Sequence, residues 1–237
     1  MRSVRLAADA PRKGYPWHLP AVRVLAEPAG LVLERPVTFL VGENGSGKST
    51  LVEALAVATG FNAEGGSRSF RFSTRASESQ LGKYLVVTRA PATPKTGFFL
   101  RAESFYNVAS EIERLGADLL PAYGGISLHK RSHGESFLDV AMQRFGPRGL
   151  YLLDEPEAAL SVRGAMALLT RLHDLVREGS QFVVATHSPI LLALPGAEIV
   201  QLDDQGARTV RYDEALPVEL TRRFLDDPQK SLRHLLG

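Results

Sequence analysis

The chain has 237 residues, 44% of them hydrophobic and 23% charged, a balance that excludes wholesale disorder and suits one sizeable α/β core. Lys plus Arg number 28 against 26 Asp plus Glu, so the net charge of +2 excludes a histone-like polycation, and the absence of cysteine excludes a disulfide framework, a thiol nucleophile and a thiolate metal site. No run approaches the roughly 18 apolar residues that span a bilayer, and the opening MRSVRLAADAPRKGYPW has no apolar signal region, so a cytoplasmic protein without direct membrane insertion is expected.

Residues 1–36 hold five of the fourteen prolines and read as short strands with turns. The apolar run 37–41 (VTFLV) predicts a buried strand that ends in a glycine-rich turn, followed by a helix over 51–59. Residues 60–80 are polar and rich in Gly and Ser, as in an exposed loop. Two β-rich runs, 84–88 and 97–101, are separated by the turn-forming APATPKT. Residues 104–120 have helical composition, and 121–134 read as loop. Further buried strands are expected at 150–153 and 182–185, flanking a helix over about 158–178. A hairpin over 198–202 and 207–212, joined by DDQG, precedes a last helix from about Glu219. Apolar strands alternating with helices predict an α/β fold with a mostly parallel sheet covered on both faces.

The strongest chemical signal is GENGSGKST, from Gly42 to Thr50, between a predicted strand and a predicted helix. Gly42, Gly45 and Gly47 let backbone N–H groups close around phosphates without Cβ clashes, and the helix N-terminus adds partial positive charge. Asn44, Ser46 and Thr50 complete the nucleotide-binding loop, Lys48 is expected to reach the β- and γ-phosphates, and Ser49 to ligate Mg²⁺. The second signal is GLYLLDE, an apolar strand ending in Asp154 and Glu155, 106 residues after Lys48. Asp154 suits the carboxylate behind Mg²⁺ and Glu155 the base that activates water. The third is FVVATHS, a strand that would bring His187 to the same sheet edge, where imidazole can bond a γ-phosphate oxygen. The fourth is RSHGES, in which Ser132 and Glu135 form a capping box around Gly134; such a capped helix start is also a phosphate-binding end.

In this order the motifs resemble the ATPase core of the ABC superfamily, over about residues 37–200. DEPEAALS, from Asp154 to Ser161, resembles the family's carboxylate pair and the loop after it, and RSHGE matches its signature at Ser132, Gly134 and Glu135. The Glu-ended signature is closer to the SMC and DNA-repair branch than to transporter subunits. Only 30 residues separate Glu103 from His133 and no heptad pattern is sustained, so the coiled-coil arm of that branch is not expected. Arg131, His133 and Ser161 depart from the family pattern. Glu103, in FFLRAES, stands where the family's Gln is expected, facing Mg²⁺ or the attacking water. Arg23 occupies the position of the adenine-stacking aromatic, with Tyr15 and Trp17 further out.

The resemblance implies one ABC-type domain over 1–237, with a small antiparallel β part and a helical subdomain at about 104–147. It further implies ATP hydrolysis with Mg²⁺ in a homodimer, one copy supplying Lys48, Ser49, Asp154, Glu155 and His187 and the other Ser132 and Gly134, driving change in an unidentified protein partner. Two alternatives stay open: a nucleic-acid-associated switch in DNA repair or phage defence, and the ATP subunit of a transporter. For the first, residues 61–101 hold seven basic and two acidic residues, and Arg68, Arg71 and Arg75 alternate with phenylalanines as in a phosphate-backbone contact, although a solvated hairpin would show the same composition.

Overall fold

The computed structural model describes residues 1–68, 80–91, 93–114 and 133–236. A six-stranded sheet runs in the order β5 (Thr96–Arg101), β6 (Gly149–Asp154), β7 (Gln181–Ala185), β3 (Val37–Val41), β8 (Glu198–Asp203) and β9 (Gly206–Val210). Its first five strands are parallel, and only β9 is antiparallel, joined to β8 by a tight turn. A second, three-stranded antiparallel sheet has the order β2 (Leu31–Val32), β1 (Ser3–Leu6) and β4 (Leu85–Thr88).

The central strands are buried along their length because helices cover both faces. Successive side chains alternate between two cores. Phe39, Tyr151, Leu153, Phe182 and Val184 face α3 (Phe105–Arg114), α4 (His133–Arg144), α5 (Val162–Arg177), α6 (Pro189–Leu192) and α7 (Leu216–Asp226). Leu40, Leu150, Leu152, Val183 and Ala185 face α1 (Pro20–Leu25) and α2 (Lys48–Ala58). At about 1.5–3 kcal/mol for each fully buried large side chain, these two layers outweigh any local propensity in the molecule. Tyr151 is the largest fully buried side chain among the described residues; its ring stacks on Phe145 and Phe182 at 4.3 and 5.0 Å, and its hydroxyl donates to Gly146 O at 2.8 Å.

Three expectations change. Within 1–36 the chain forms a helix, α1, besides two strands; Pro20 opens it, its fixed φ being pre-set for the first helical turn. The runs at 84–88 and 97–101 do not pair with each other. β4 alternates half-buried and exposed residues and joins the antiparallel sheet, whereas β5 buries Phe98, Phe99 and Leu100 and becomes the edge of the parallel one. The C-terminal helix is two helices, α7 and α8 (Pro228–Leu236), because Pro228 forces Asp227 into an extended conformation, φ −148° and ψ 81°.

Candidate functional site

The phosphate loop follows β3 and enters α2 at Lys48. Gly42 has φ +155°, and a Cβ there would lie 2.3 Å from Leu202 O of β8, so only glycine lets the loop leave the sheet at this point. Lys48 is buried, and its Nζ donates to Gly42 O at 2.8 Å and Glu43 O at 3.1 Å, folding the ammonium back over the loop. Burial lowers the Lys48 pKa, while Glu155, Asp154 and Glu157 pull it back up. The Ser46 hydroxyl is buried and meets no hydrogen-bond partner among the described residues.

Asp154 closes β6, 3% exposed, with its carboxyl pushed up from the usual 3.8 to about 6. Burial is the main cause; Glu155 and Glu103 add to it, and Arg101 and the Ser49 hydroxyl oppose it. Its Oδ2 lies 3.2 Å from Arg101 Nε, while Oδ1 is buried without a partner among the described residues. Glu155 turns the chain sharply out of the sheet at φ +48°, an uncommon conformation for a residue with a Cβ, which costs on the order of 1 kcal/mol. Its backbone N–H still bonds Ala185 O at 2.9 Å, so the strained residue is tied to β7.

His187 follows β7. Its Nε2 stands 4.0 Å from Glu155 Oε1, is buried and has no hydrogen-bond partner among the described residues. Burial and then the Lys48 charge lower its pKa, against Glu155 and Glu157, so the neutral imidazole, with one N–H to donate, is favoured. Glu157 bridges the loops by accepting the backbone N–H of His187.

Two clefts meet at Ser49 and Glu155. One, of about 540 Å³, is lined by Ser49, Arg101, Glu103, Asp154, Glu155 and Ala159. The other, of about 450 Å³, is lined by Tyr15, Asn44, Gly45, Lys48, Thr50 and Glu155. Both lie in the size range of small-molecule sites. Among the described residues no three His, Asp or Glu side chains are grouped to hold a metal unaided. Mg²⁺ commonly binds through one or two carboxylates plus phosphate oxygens, and the orphaned Asp154 Oδ1 beside Ser49 suits that mode.

The sheet thus brings Lys48, Ser49, Asp154, Glu155 and His187 together, with Glu103 exposed on the rim of the larger cleft. Gly134 is not a lining residue of either cleft; it opens α4 against the loop after Glu155, where a Cβ would stand 2.5 Å from Ala159 O. Glu135 is exposed in the same turn. Ser132, Arg71 and Arg75 lie outside the described residues, whereas Arg68 stacks over Phe61 at 5.2 Å. Ser161 caps α5, accepting from Gly164 N at 3.1 Å. Two residues of the site had no role assigned from the sequence. Tyr15 reaches the loop, its hydroxyl 3.3 Å from Thr50 Oγ1, while Trp17 is buried edge-on against Tyr84. Arg101 was legible only as the residue two before the expected Glu103; its pairing with Asp154 needs the β5–β6 register.

Two family models match the chain. One, "AAA domain", covers residues 23–102, and the other, "AAA domain, putative AbiEii toxin, Type IV TA system", covers 136–193. The first ends just past Arg101, and the second takes in Asp154 to His187. Among solved structures, a nucleotide-free ATP-binding cassette from an ABC transporter is 16% identical with a TM-score of 0.48, covering 97% of each chain. A ribose import ATP-binding protein from Geobacillus kaustophilus is 28% identical, over 66% of this chain and 35% of its own length. The chain spans about a quarter to a third of the first curated relatives it matches, 26%, 35% and 31%. It covers 79% of a cytochrome c biogenesis ATP-binding export protein from Rhodopseudomonas palustris, at 30% identity over 65% of this chain. With that relative covered over most of its length, and with family models over the phosphate loop and the carboxylate strand, the chain belongs to the ABC superfamily of ATPases.

Proposed function

We propose that the chain binds ATP with Mg²⁺ and hydrolyses it, two copies closing over two nucleotides so that turnover drives a conformational change in a protein partner. One observation carries the reading: Lys48, Ser49, Asp154 and Glu155, far apart in the sequence, line two clefts that share Ser49 and Glu155, and His187 Nε2 stands 4.0 Å from Glu155 Oε1. Members of this family generally bind ATP with Mg²⁺ and hydrolyse it. Held by Ser49, Asp154 and the nucleotide, with Glu103 on the rim, the divalent ion would neutralise charge on the phosphates.

The chain's own groups have separate tasks. Lys48 exchanges its two carbonyl partners for phosphate oxygens, and the backbone of Gly42, Asn44, Gly45, Ser46 and Gly47 cradles them, with Thr50 one residue inside α2. Glu155 accepts the proton of the attacking water, and neutral His187 donates to a γ-phosphate oxygen. Tyr15 offers its exposed ring to the base. Ser132, Gly134 and Glu135 of the second copy complete the γ-phosphate site. The domain extends over 1–237, with residues 104–147 as its helical part, and works in the cytoplasm.

Glu155→Gln tests this. It keeps shape and hydrogen bonding but removes the proton acceptor, so turnover is expected to fall by roughly 10² or more while ATP still binds. Light scattering should then find the variant near 26 kDa without nucleotide and near twice that with ATP. Adding Ser132→Arg should return it to monomer. Normal turnover in the single variant, or an ATP-bound dimer in the double one, refutes the corresponding role.

The toxin–antitoxin description of the family model over 136–193 favours a second reading, an ATPase switch in a nucleic-acid-associated repair or defence system, with Arg68, Arg71 and Arg75 as the contact. DNA-stimulated hydrolysis that falls steeply with salt, and that is lost when the three arginines become Glu, would select it. The relatives' transport names favour a third, tested by copurification with a membrane protein.

A further inference from the structure

At the metal side of the site stands a group that the motifs do not account for. Arg101 ends β5 directly across from Asp154 in the parallel register, and Ala102 N bonds Asp154 O at 3.2 Å, so the backbone fixes the two side chains as neighbours. The guanidinium is held among three carboxylates. Its Nη1 donates to Glu53 Oε2 of α2 at 2.8 Å, its Nε lies 3.2 Å from Asp154 Oδ2, and its Nη2 lies 3.4 Å from Glu103 Oε2. Glu53 and Arg101 are mostly buried, at 13% and 20% exposed, whereas Glu103 is 83% exposed. The contacts are unequal. The bond to Glu53 is short and aligned; toward Asp154 the ion pair is close, but Nε completes no hydrogen bond with any described residue and neither does Asp154 Oδ1. Glu53 therefore anchors the guanidinium, and its hold on Asp154 is the one that can be released.

We propose that Arg101 is a positioning residue that guards the metal carboxylate: with no nucleotide bound its guanidinium supplies the positive charge beside Asp154, and it yields only when a divalent ion arrives together with phosphates. The inference rests on the ATP–Mg²⁺ reading above and refines it. A bare ion meets a carboxylate already paired with a fixed cation, so the fraction of chains open to it is small and its apparent affinity falls by that fraction. An ion carried on a nucleotide brings phosphate oxygens that Lys48 and the loop bind independently, and this added binding displaces Nε from Oδ2. Arg101 keeps its bond to Glu53 throughout, so release needs a rotation of the guanidinium rather than a movement of β5.

The test measures Mn²⁺ by electron paramagnetic resonance on the full chain, with and without the non-hydrolysable ATP analogue AMP-PNP, for wild type, Arg101→Gln and Arg101→Lys. Arg101→Gln should bind Mn²⁺ without nucleotide about tenfold more tightly than wild type, the scale of one close, largely buried ion pair removed. Arg101→Lys separates contact from charge. Its single ammonium cannot span Glu53 and Asp154 as the planar fork does, so it should bind bare Mn²⁺ nearly as tightly as Arg101→Gln. With AMP-PNP present the three proteins should differ by less than threefold. A lysine variant that matches wild type means that Arg101 acts only through its distant charge and overturns the proposal. So does unchanged Mn²⁺ binding in both variants accompanied by a lower melting temperature in EDTA, which is what a purely structural salt bridge would give. If wild type fails to take up Mn²⁺ even with AMP-PNP, the ATP–Mg²⁺ reading itself falls, and the guard with it.

Discussion

Replacing Asp154 by Asn should make the nucleotide-free protein more stable at neutral pH. The carboxyl is 3% exposed, and its pKa is raised from the usual 3.8 to about 6, mainly by burial. A folded-state pKa above the unfolded one means that the folded chain holds its proton longer. Between about pH 4 and pH 6 the unfolded chain sheds that proton while the folded chain keeps it, so stability drops as pH rises through this window and is level above it. At about 1.4 kcal/mol per pH unit, the ionised carboxylate costs the fold about 3 kcal/mol at pH 7. Asparagine resembles the protonated acid and carries no such cost. Urea unfolding in EDTA should show the two proteins alike near pH 4 and Asp154→Asn ahead by about 3 kcal/mol at pH 7. Added Mg²⁺ and AMP-PNP should nearly close this gap by stabilising wild type alone, which gains about 2.7 kcal/mol at a ligand concentration of 100 times Kd. A gap of the same size at pH 4.5 and pH 7.5, or a variant less stable at pH 7, would refute the argument that burial of this charge costs stability.

Lys48→Met should lower ATP affinity by about 10²-fold in calorimetry and leave the melting curve of the nucleotide-free protein nearly in place, because the loss of two carbonyl bonds is offset by relief of a buried charge. Gly42→Ala should cost at least about 2 kcal/mol by thermal unfolding, since its Cβ would strike Leu202 O at 2.3 Å on a left-handed backbone. Tyr15→Ala should raise the Kd for ATP by roughly five- to tenfold with no change in melting, since the ring is 67% exposed, and Tyr15→Phe should restore it, the scale being that of one base–aromatic stack.

The sequence by itself carried the parallel-sheet class and the positions of most candidate site residues at the strand ends, because those features depend on local pattern. An apolar run of five or six residues can bury both faces only within a covered sheet, and GENGSGKST between a strand and a helix admits few other uses. The Asp154–Glu155 pair and His187 were legible for the same reason, each ending an apolar strand. Tertiary structure decided what depends on strand order and on residues distant in sequence. It separated β4 from β5 by the burial of Phe98, Phe99 and Leu100, which no local turn signal expresses. It returned Tyr15 to Thr50 across 35 residues, through a helix that the proline-rich composition concealed, and buried Trp17 instead. It set Arg101 against Asp154, 53 positions apart, because only the pairing of β5 with β6 makes them neighbours. An arginine two residues before an expected site residue has no periodicity or motif to mark it; its partner is chosen by the register of the sheet.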